Sequence, residues 1–281
     1  MPTFAQMLRQ GEKIARAAGM EASGIKLLLM HFSGLTPTQM YVSLDEPMPD
    51  AAKGAFLEAV DQYVNHHRPV QYLMGYVSFY GYDFTVNDAV LIPRFETEEL
   101  VANILVHYDE MFRGQKVQLV DVGTGSGCVA ISLAKEEPNL LVTATDISAD
   151  ALAVAKANAE KMGANIEFLQ GDMLKPLAGR KFDILVSNPP YIPETETVAE
   201  IIKDNEPNIA LFGGNDGLKF YRIILSEAKN ILNPKSILGF EHGFDKATEI
   251  RAIAKAYFPN AEIFTVQDMT KRDRMTFILN K

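Results

Sequence analysis

The segment from Lys116 to Glu136 constrains the fold more than any other. An apolar run, KVQLVDV (116–122), passes without a break into Gly123-Thr124-Gly125-Ser126-Gly127-Cys128 and then into the helical pattern VAISLAKE. A strand that leads through glycines into a helix is the unit of an open, mostly parallel sheet with helices on both faces. Further strand patterns follow at 140–146, 166–170, 182–187, 236–241, 261–266 and 275–280, and helical patterns separate the first several. Only eight residues, 267–274, lie between the last two, too few for a helical crossover, so an antiparallel pair is predicted at one sheet edge. The predicted class is α/β, with seven strands.

Two regions precede this pattern. In residues 1 to about 68, apolar side chains recur at three-to-four spacing through Phe4, Met7, Leu8 and Ile14, then Ile25, Leu28, Leu29 and Phe32, then Phe56, Leu57, Val60 and Tyr63. That spacing, broken at Ser23-Gly24 and Thr36-Pro37, predicts a small helical bundle. From Val70 to Pro93 the residues turn aromatic and β-branched, interrupted by Gly75, Gly81 and Asn87-Asp88, which predicts a hairpin-like connector. The expected organisation is a helical domain over 1–70, a β-hairpin connector over 71–95 and an α/β domain over 96–281 that opens on a helix near 96–112.

Of 281 residues, 27 are Lys or Arg and 36 are Asp or Glu, a formal charge of −9. This balance disfavours a protein whose affinity comes from neutralising phosphates, and no direct nucleic-acid binding is expected. No apolar run approaches the roughly 18 residues that span a bilayer, so no membrane partner is expected. Arg9, Glu12 and Lys13 fall where a signal peptide would be apolar, and a cytoplasmic location is predicted. Cys128 is the only cysteine, and the five histidines lack an i, i+4 pair, so neither an internal disulfide nor a metal site is expected.

Ligands of open α/β sheets sit beyond the carboxyl ends of the strands, where glycines let the backbone come close. The spacing here is G-x-G-x-G, with Cys128 where the third glycine of a dinucleotide fingerprint would fall, which counts against NAD or FAD. Asp146, 23 residues after Gly123 at the end of the second strand, is placed to accept from ribose hydroxyls. Asp172, in Gln170-Gly171-Asp172-Met173, can accept from an adenine amino group, with Met173 covering the ring. Each has a plainer alternative: the glycines as a tight turn, Asp146 as a helix-capping group, Asp172 as a solvated carboxylate. Their joint position after three successive strands favours the ligand.

The fourth strand runs directly into Asn188-Pro189-Pro190-Tyr191. Prolines have no N–H, so Pro189 and Pro190 offer carbonyl acceptors at fixed φ without competing donors, and Asn188 adds a side-chain carbonyl. Such a stiff acceptor cluster suits an NH₂ group with two hydrogens to donate. An amide or aromatic amine has a delocalised lone pair, and holding both N–H bonds orients the nitrogen for attack through positioning and electrostatics, with no general base required. Tyr191 is expected beside the substrate plane. The plainer alternative is a loop initiator and nothing more.

Asn-Pro-Pro-Tyr with Gly-x-Gly-x-Gly resembles the class I methyltransferases that modify exocyclic nitrogens. Pro69 to Gly75, LIPRFETE (91–98), DVGTGSGCVAISLA, SNPPYIP, Glu206-Pro207 with ALFGGNDGL (210–218), FEHG (240–243) and Arg272-Asp273-Arg274 extend the likeness over nearly the whole chain. Together they resemble the release factor glutamine methyltransferase family; the departure is Phe95, where the family often has a second proline.

The resemblance implies a Rossmann-like catalytic domain that binds S-adenosylmethionine and releases S-adenosylhomocysteine. It implies cofactor contacts from Gly123, Thr124, Gly125, Ser126, Gly127, Asp146, Asp172, Met173 and Asn188, and an acceptor site made by Asn188, Pro189, Pro190 and Tyr191, with Asn188, Pro189 and Tyr191 catalytic. The implied substrate is the Gly-Gly-Gln glutamine of class I peptide-chain release factors, docking partly on the N-terminal helices. An adenine-N6 DNA or RNA methyltransferase, which would have to flip out a base, and a catalytically silent binding protein on the same scaffold are the alternatives.

Overall fold

The computed structural model describes residues 1–281, the side chain of Glu200 excepted. The chain forms two compact units, Met1–Tyr76 with Val198–Asn205, and Val77–Thr197 with Glu206–Lys281.

The first unit holds α1 (Phe4–Ala17), α2 (Ala22–Ser33), α3 (Pro37–Val42), α4 (Asp50–Asn65) and α5 (Val70–Met74). Thr3 and Thr36 start α1 and α3 with reciprocal bonds to Gln6 and Gln39, satisfying backbone donors that a helix start leaves open. Leu28, Leu29, Phe56, Val60 and Tyr63 close a core between the helices, which is what the three-to-four spacing requires. The aromatic stretch begins later as a hairpin than expected. Pro69 and Gly75 bracket a single helical turn, α5, because proline favours a helix start and Gly75, at φ +79, supplies the left-handed stop. The hairpin itself, β1 (Tyr76–Phe79) with β2 (Tyr82–Thr85), belongs to the second unit apart from Tyr76.

In the second unit, α6 (Phe95–Phe112) precedes β3 (Val117–Val122), α7 (Cys128–Glu136), β4 (Leu140–Asp146), α8 (Ala149–Met162), β5 (Ile166–Gln170) and β6 (Phe182–Ser187). The next helix, α9 (Glu200–Lys203), is too short to show periodicity and lies in the segment counted with the first unit. Then come α10 (Lys219–Glu227), β7 (Leu232–Glu241), α11 (Ala247–Tyr257), β8 (Glu262–Gln267) and β9 (Asp273–Asn280). The sheet order is β5-β4-β3-β6-β7-β9-β8, with β9 antiparallel to both neighbours and the other pairs parallel. The predicted terminal pair is therefore present, and its last strand inserts between β7 and the edge. Asp268 makes the tight connection possible by accepting from the backbone N–H groups of Thr270 and Arg272. The central strands are buried on both faces by two apolar layers, one containing Leu119, Ile184 and Phe277, the other Val120, Leu185 and Leu238.

Candidate active site

Chain order reverses between β3 and β6, since β4 and β5 extend the sheet on one side of β3 while β6 and β7 extend it on the other. Loops leaving such a pair diverge and open a crevice. Here those loops are Gly123–Cys128 and Asn188–Tyr191. Their roots are tied by the Ser187 hydroxyl, which donates to the Val122 carbonyl at 2.6 Å. The crevice holds a cavity of about 380 Å³, within the range of roughly 300 to 1,000 Å³ typical of small-molecule sites.

Gly123 and Gly125 form one wall, at φ +77 and +55. A Cβ built on either would meet nothing within 4 Å, so the volume in front of the turn is open to a ligand. The Gly125 N–H donates to Asp146 Oδ2 and the Ser148 N–H to Asp146 Oδ1, both at 2.9 Å. Asp146 thus braces the glycine turn and the start of α8 and also lines the cavity, each oxygen retaining a second lone pair. Asp172 and Met173 lie on the same wall, Asp172 paired with Lys175 at 2.6 Å and Met173 at φ +48.

Thr124, Ser126 and Gly127 are not part of the wall. Thr124 donates its hydroxyl to the buried Asp121 at 2.7 Å, and the Ser126 carbonyl accepts from Asn158 at 3.0 Å. A Cβ on Gly127 would press on Ile131 and Ala155, so that glycine serves the packing of α7 against α8. Burial pushes the Asp121 carboxyl up to about 7 despite the Thr124 bond, with the neighbouring Asp146 charge adding to the shift. Burial likewise pushes the Cys128 thiol up to about 12.

Asn188 and Pro190 line the same cavity as the glycine turn. Asn188 Nδ2 donates to Thr97 Oγ1 at 3.3 Å, which leaves Oδ1 as the amide's exposed acceptor. The Pro189 carbonyl accepts no hydrogen bond among the described residues. The Pro190 carbonyl departs from the expected acceptor role, since it packs against the Cα of Gly213, where even a methyl group would overlap it. Gly217 leaves equally little room beside the Tyr191 carbonyl. Ile192 N–H to Leu211 O at 3.0 Å and Gly213 N–H to Ile192 O at 2.9 Å complete this glycine clamp. The Tyr191 ring packs on the core layer around Tyr221 and Leu218, and its burial pushes the phenol up to about 12.

Sequence reasoning did not identify the rest of the wall. Val90 and Leu91 come from the loop before α6, and Pro207 and Ile209 from the loop before α10. Arg94 and the buried Glu206 join these loops through a 2.6 Å ion pair, and the other Glu206 oxygen accepts the Ile92 N–H at 3.1 Å. Two partners 112 residues apart leave no local pattern. Asn158, fully buried in α8, bonds the backbone of Thr85 on both its N–H and its carbonyl, which also escapes a periodicity search.

A seven-stranded sheet whose final strand doubles back antiparallel beside the fifth, with a glycine turn at its switch point, belongs to a class I methyltransferase, and S-adenosylmethionine is that class's cofactor. The residues present fit it: the cavity is open at the glycines and offers carboxylate acceptors at Asp146 and Asp172.

Comparison with known proteins narrows the class. Residues 99–208 match the methyltransferase small domain and residues 6–75 the PrmC N-terminal domain. The Bacillus subtilis release factor glutamine methyltransferase is 41% identical over 279 residues, covering 98% of this chain and 96% of that protein. The Bacillus cereus protein of the same name is 37% identical over 276 residues, 97% of each. The chain belongs to the release factor glutamine methyltransferase family.

Among solved structures, a Pyrococcus furiosus methyltransferase superposes with a TM-score of 0.51 at 20% identity, over 71% of this chain and 88% of that one. A Thermus thermophilus 16S rRNA N2 G1207 methyltransferase, solved with AdoMet and guanosine, gives 0.52 at 13%, over 73% and 50%. Both share the fold.

Proposed function

We propose that this chain transfers a methyl group from S-adenosylmethionine to the N5 amide nitrogen of the glutamine in the Gly-Gly-Gln motif of class I release factors, in the cytoplasm. One observation carries the chemistry: the Asn188 amide is anchored through its NH₂ end, which leaves its oxygen free in a residue that lines the same cavity as the glycine turn. Gly123, Gly125, Asp146, Asp172 and Met173 hold the cofactor, which supplies an electrophilic methyl on a sulfonium.

Asn188 Oδ1 and the Pro189 carbonyl accept the two N–H bonds of the glutamine side chain. Holding both hydrogens fixes the nitrogen and draws its lone pair out of conjugation, so the chain contributes orientation and electrostatic complementarity rather than a base. Pro190 and Tyr191 support this surface from behind, and the helical residues 1–70 recognise the protein substrate. The family relationship supplies the substrate, and the acceptor geometry agrees with an amide.

Incubation with labelled S-adenosylmethionine and release factor is expected to label the wild-type factor and not a variant whose tip glutamine is alanine. Equal labelling of both would remove the glutamine assignment. Labelling of DNA instead, lost steeply as salt rises, would point to an adenine amine.

A further inference from the structure

β6 and β7 run parallel with Ser187 opposite Phe240, so the residues that follow, Asn188 and Glu241, emerge side by side at the carboxyl edge of the sheet. Glu241 is 2% exposed, and its Oε2 has no hydrogen-bond partner among the described residues. Its carboxyl lies beside the Thr97 hydroxyl and the Asn188 amide, both of which act to lower its pKa against the effect of burial. Thr97, itself buried, also accepts from Asn188 at 3.3 Å. A Thr97 hydroxyl that accepts from Asn188 keeps its own proton free to donate, and an ionised carboxylate beside it can only accept. The polarity of the cluster follows: the NH₂ end of Asn188, bonded to Thr97, is the end that lies on the Glu241 side.

We propose that Glu241 is a positioning residue for methyl transfer, holding the NH₂ end of Asn188 so that Oδ1 is the atom turned to the acceptor nitrogen. A flipped Asn188 would set its oxygen against a carboxylate and present a donor where the substrate also brings donors. The inference rests on the proposed amide chemistry for its catalytic consequence, and on the buried placement of Glu241 beside Asn188 and Thr97 for the coupling.

Among the described residues no cation forms an ion pair with this carboxylate. The groups that face it are Glu96 and Thr97 from α6, Cys128 from α7, Asn188 and Tyr191 at the end of β6, Tyr221 from α10 and Arg274 from β9. Arg274 is engaged elsewhere, its Nε with Asp268 at 3.3 Å and its Nη1 with the His242 carbonyl at 3.4 Å. A buried acid without a counter-ion is destabilising when charged, and burial raises the Glu241 carboxyl to about 7. Because the folded-state value lies above the ordinary one, Glu241 favours folding most at pH below the ordinary carboxylate range and loses that contribution as pH rises through about 7. The grip on Asn188 runs the other way, since only the ionised form is a pure acceptor. Turnover and stability should therefore change in opposite directions across neutral pH.

The test uses the full chain and two variants of similar volume, Glu241→Gln and Glu241→Met. Glu241→Gln keeps one acceptor oxygen and should lower kcat about 10-fold, and Glu241→Met, which keeps none, about 100-fold, as expected for a misoriented contact to the reacting atom. Cofactor Kd should be unchanged, and the denaturation midpoint above pH 7 should be equal or higher in both. The wild-type kcat should fall as pH drops through about 7, and this limb should be lost in Glu241→Gln. Asp121 titrates in the same range but is common to both proteins, so the difference isolates Glu241.

The coupling is read without substrate by NMR. The Asn188 side-chain NH₂ resonances, assigned by their loss in Asn188→Ala, should titrate near pH 7 in the wild type and not in Glu241→Gln. Wild-type kcat in both variants, or an Asn188 amide whose titration is the same with and without Glu241, would overturn the proposal. Should the wild type fail to methylate release factors while the amide still titrates, the substrate assignment falls and the coupling stands.

Discussion

The two loops that bound the cavity solve opposite problems with opposite residues. Gly123 to Gly127 is built by leaving side chains out: three of its residues adopt positive φ, two of them face open space, and its shape is held from outside by the Asp146 carboxylate. Asn188 to Tyr191 is built by removing freedom, with two prolines against the clamp of Gly213 and Gly217. A ligand-binding turn has to let a molecule approach the backbone itself. A surface that orients an amide has to present fixed acceptors and keep donors away. The first loop is therefore sensitive to anything added in front of it, and the second to anything loosened behind it.

The comparison is broken most severely at Asn188. Asn188→Ala should lose about 2 to 4 kcal/mol of transition-state stabilisation, by analogy with removing one preorganised hydrogen-bonding group, with cofactor affinity nearly unchanged. Single-turnover methyl transfer beside calorimetric cofactor binding measures both, and an active Asn188→Ala enzyme would contradict the mechanism. Asp146→Asn should show the reverse split. Losing a charged acceptor for Gly125 should weaken cofactor binding by about 1.5 to 3 kcal/mol, while kcat at saturating cofactor changes far less.

Gly217→Ala sharpens the contrast from behind the proline loop. Its φ of +75 and the adjacent Tyr191 carbonyl leave no room for a methyl group, so a loss of about 1 to 3 kcal/mol in unfolding free energy should accompany reduced turnover. A Gly217→Ala protein as stable and active as the wild type would show that the clamp is dispensable. The smallest effect is expected for Tyr221→Phe, which removes a buried 2.6 Å bond to the Glu241 carbonyl and should lower unfolding free energy by about 1 kcal/mol in denaturant titrations.

The same contrast explains what could be read from the chain. The strands and the glycine turn were legible because period, apolar runs and glycine are local signals, and β4, β5 and β6 coincide with the predicted spans. Asn188 was legible because two prolines follow it directly. The supports of both loops were not. Glu206 meets Arg94, Asn158 meets Thr85, and Gly213 meets Pro190 across long stretches of chain, and each partner in isolation resembles an ordinary surface charge, amide or turn residue. The Pro190 carbonyl illustrates the limit. Lacking a donor made it look like an acceptor for substrate, yet which way it points is decided by a glycine more than twenty residues later in the chain.

Cys128, sealed at the start of α7 with its thiol pushed up to about 12 by burial, is the only sulfhydryl in the sequence. Maleimides attack thiolates, so near-neutral reagent should leave it untouched. A cysteine introduced at the exposed Val42 would then be a unique chemical handle, and a dye attached there could report on docking of a protein partner without any native residue first being removed.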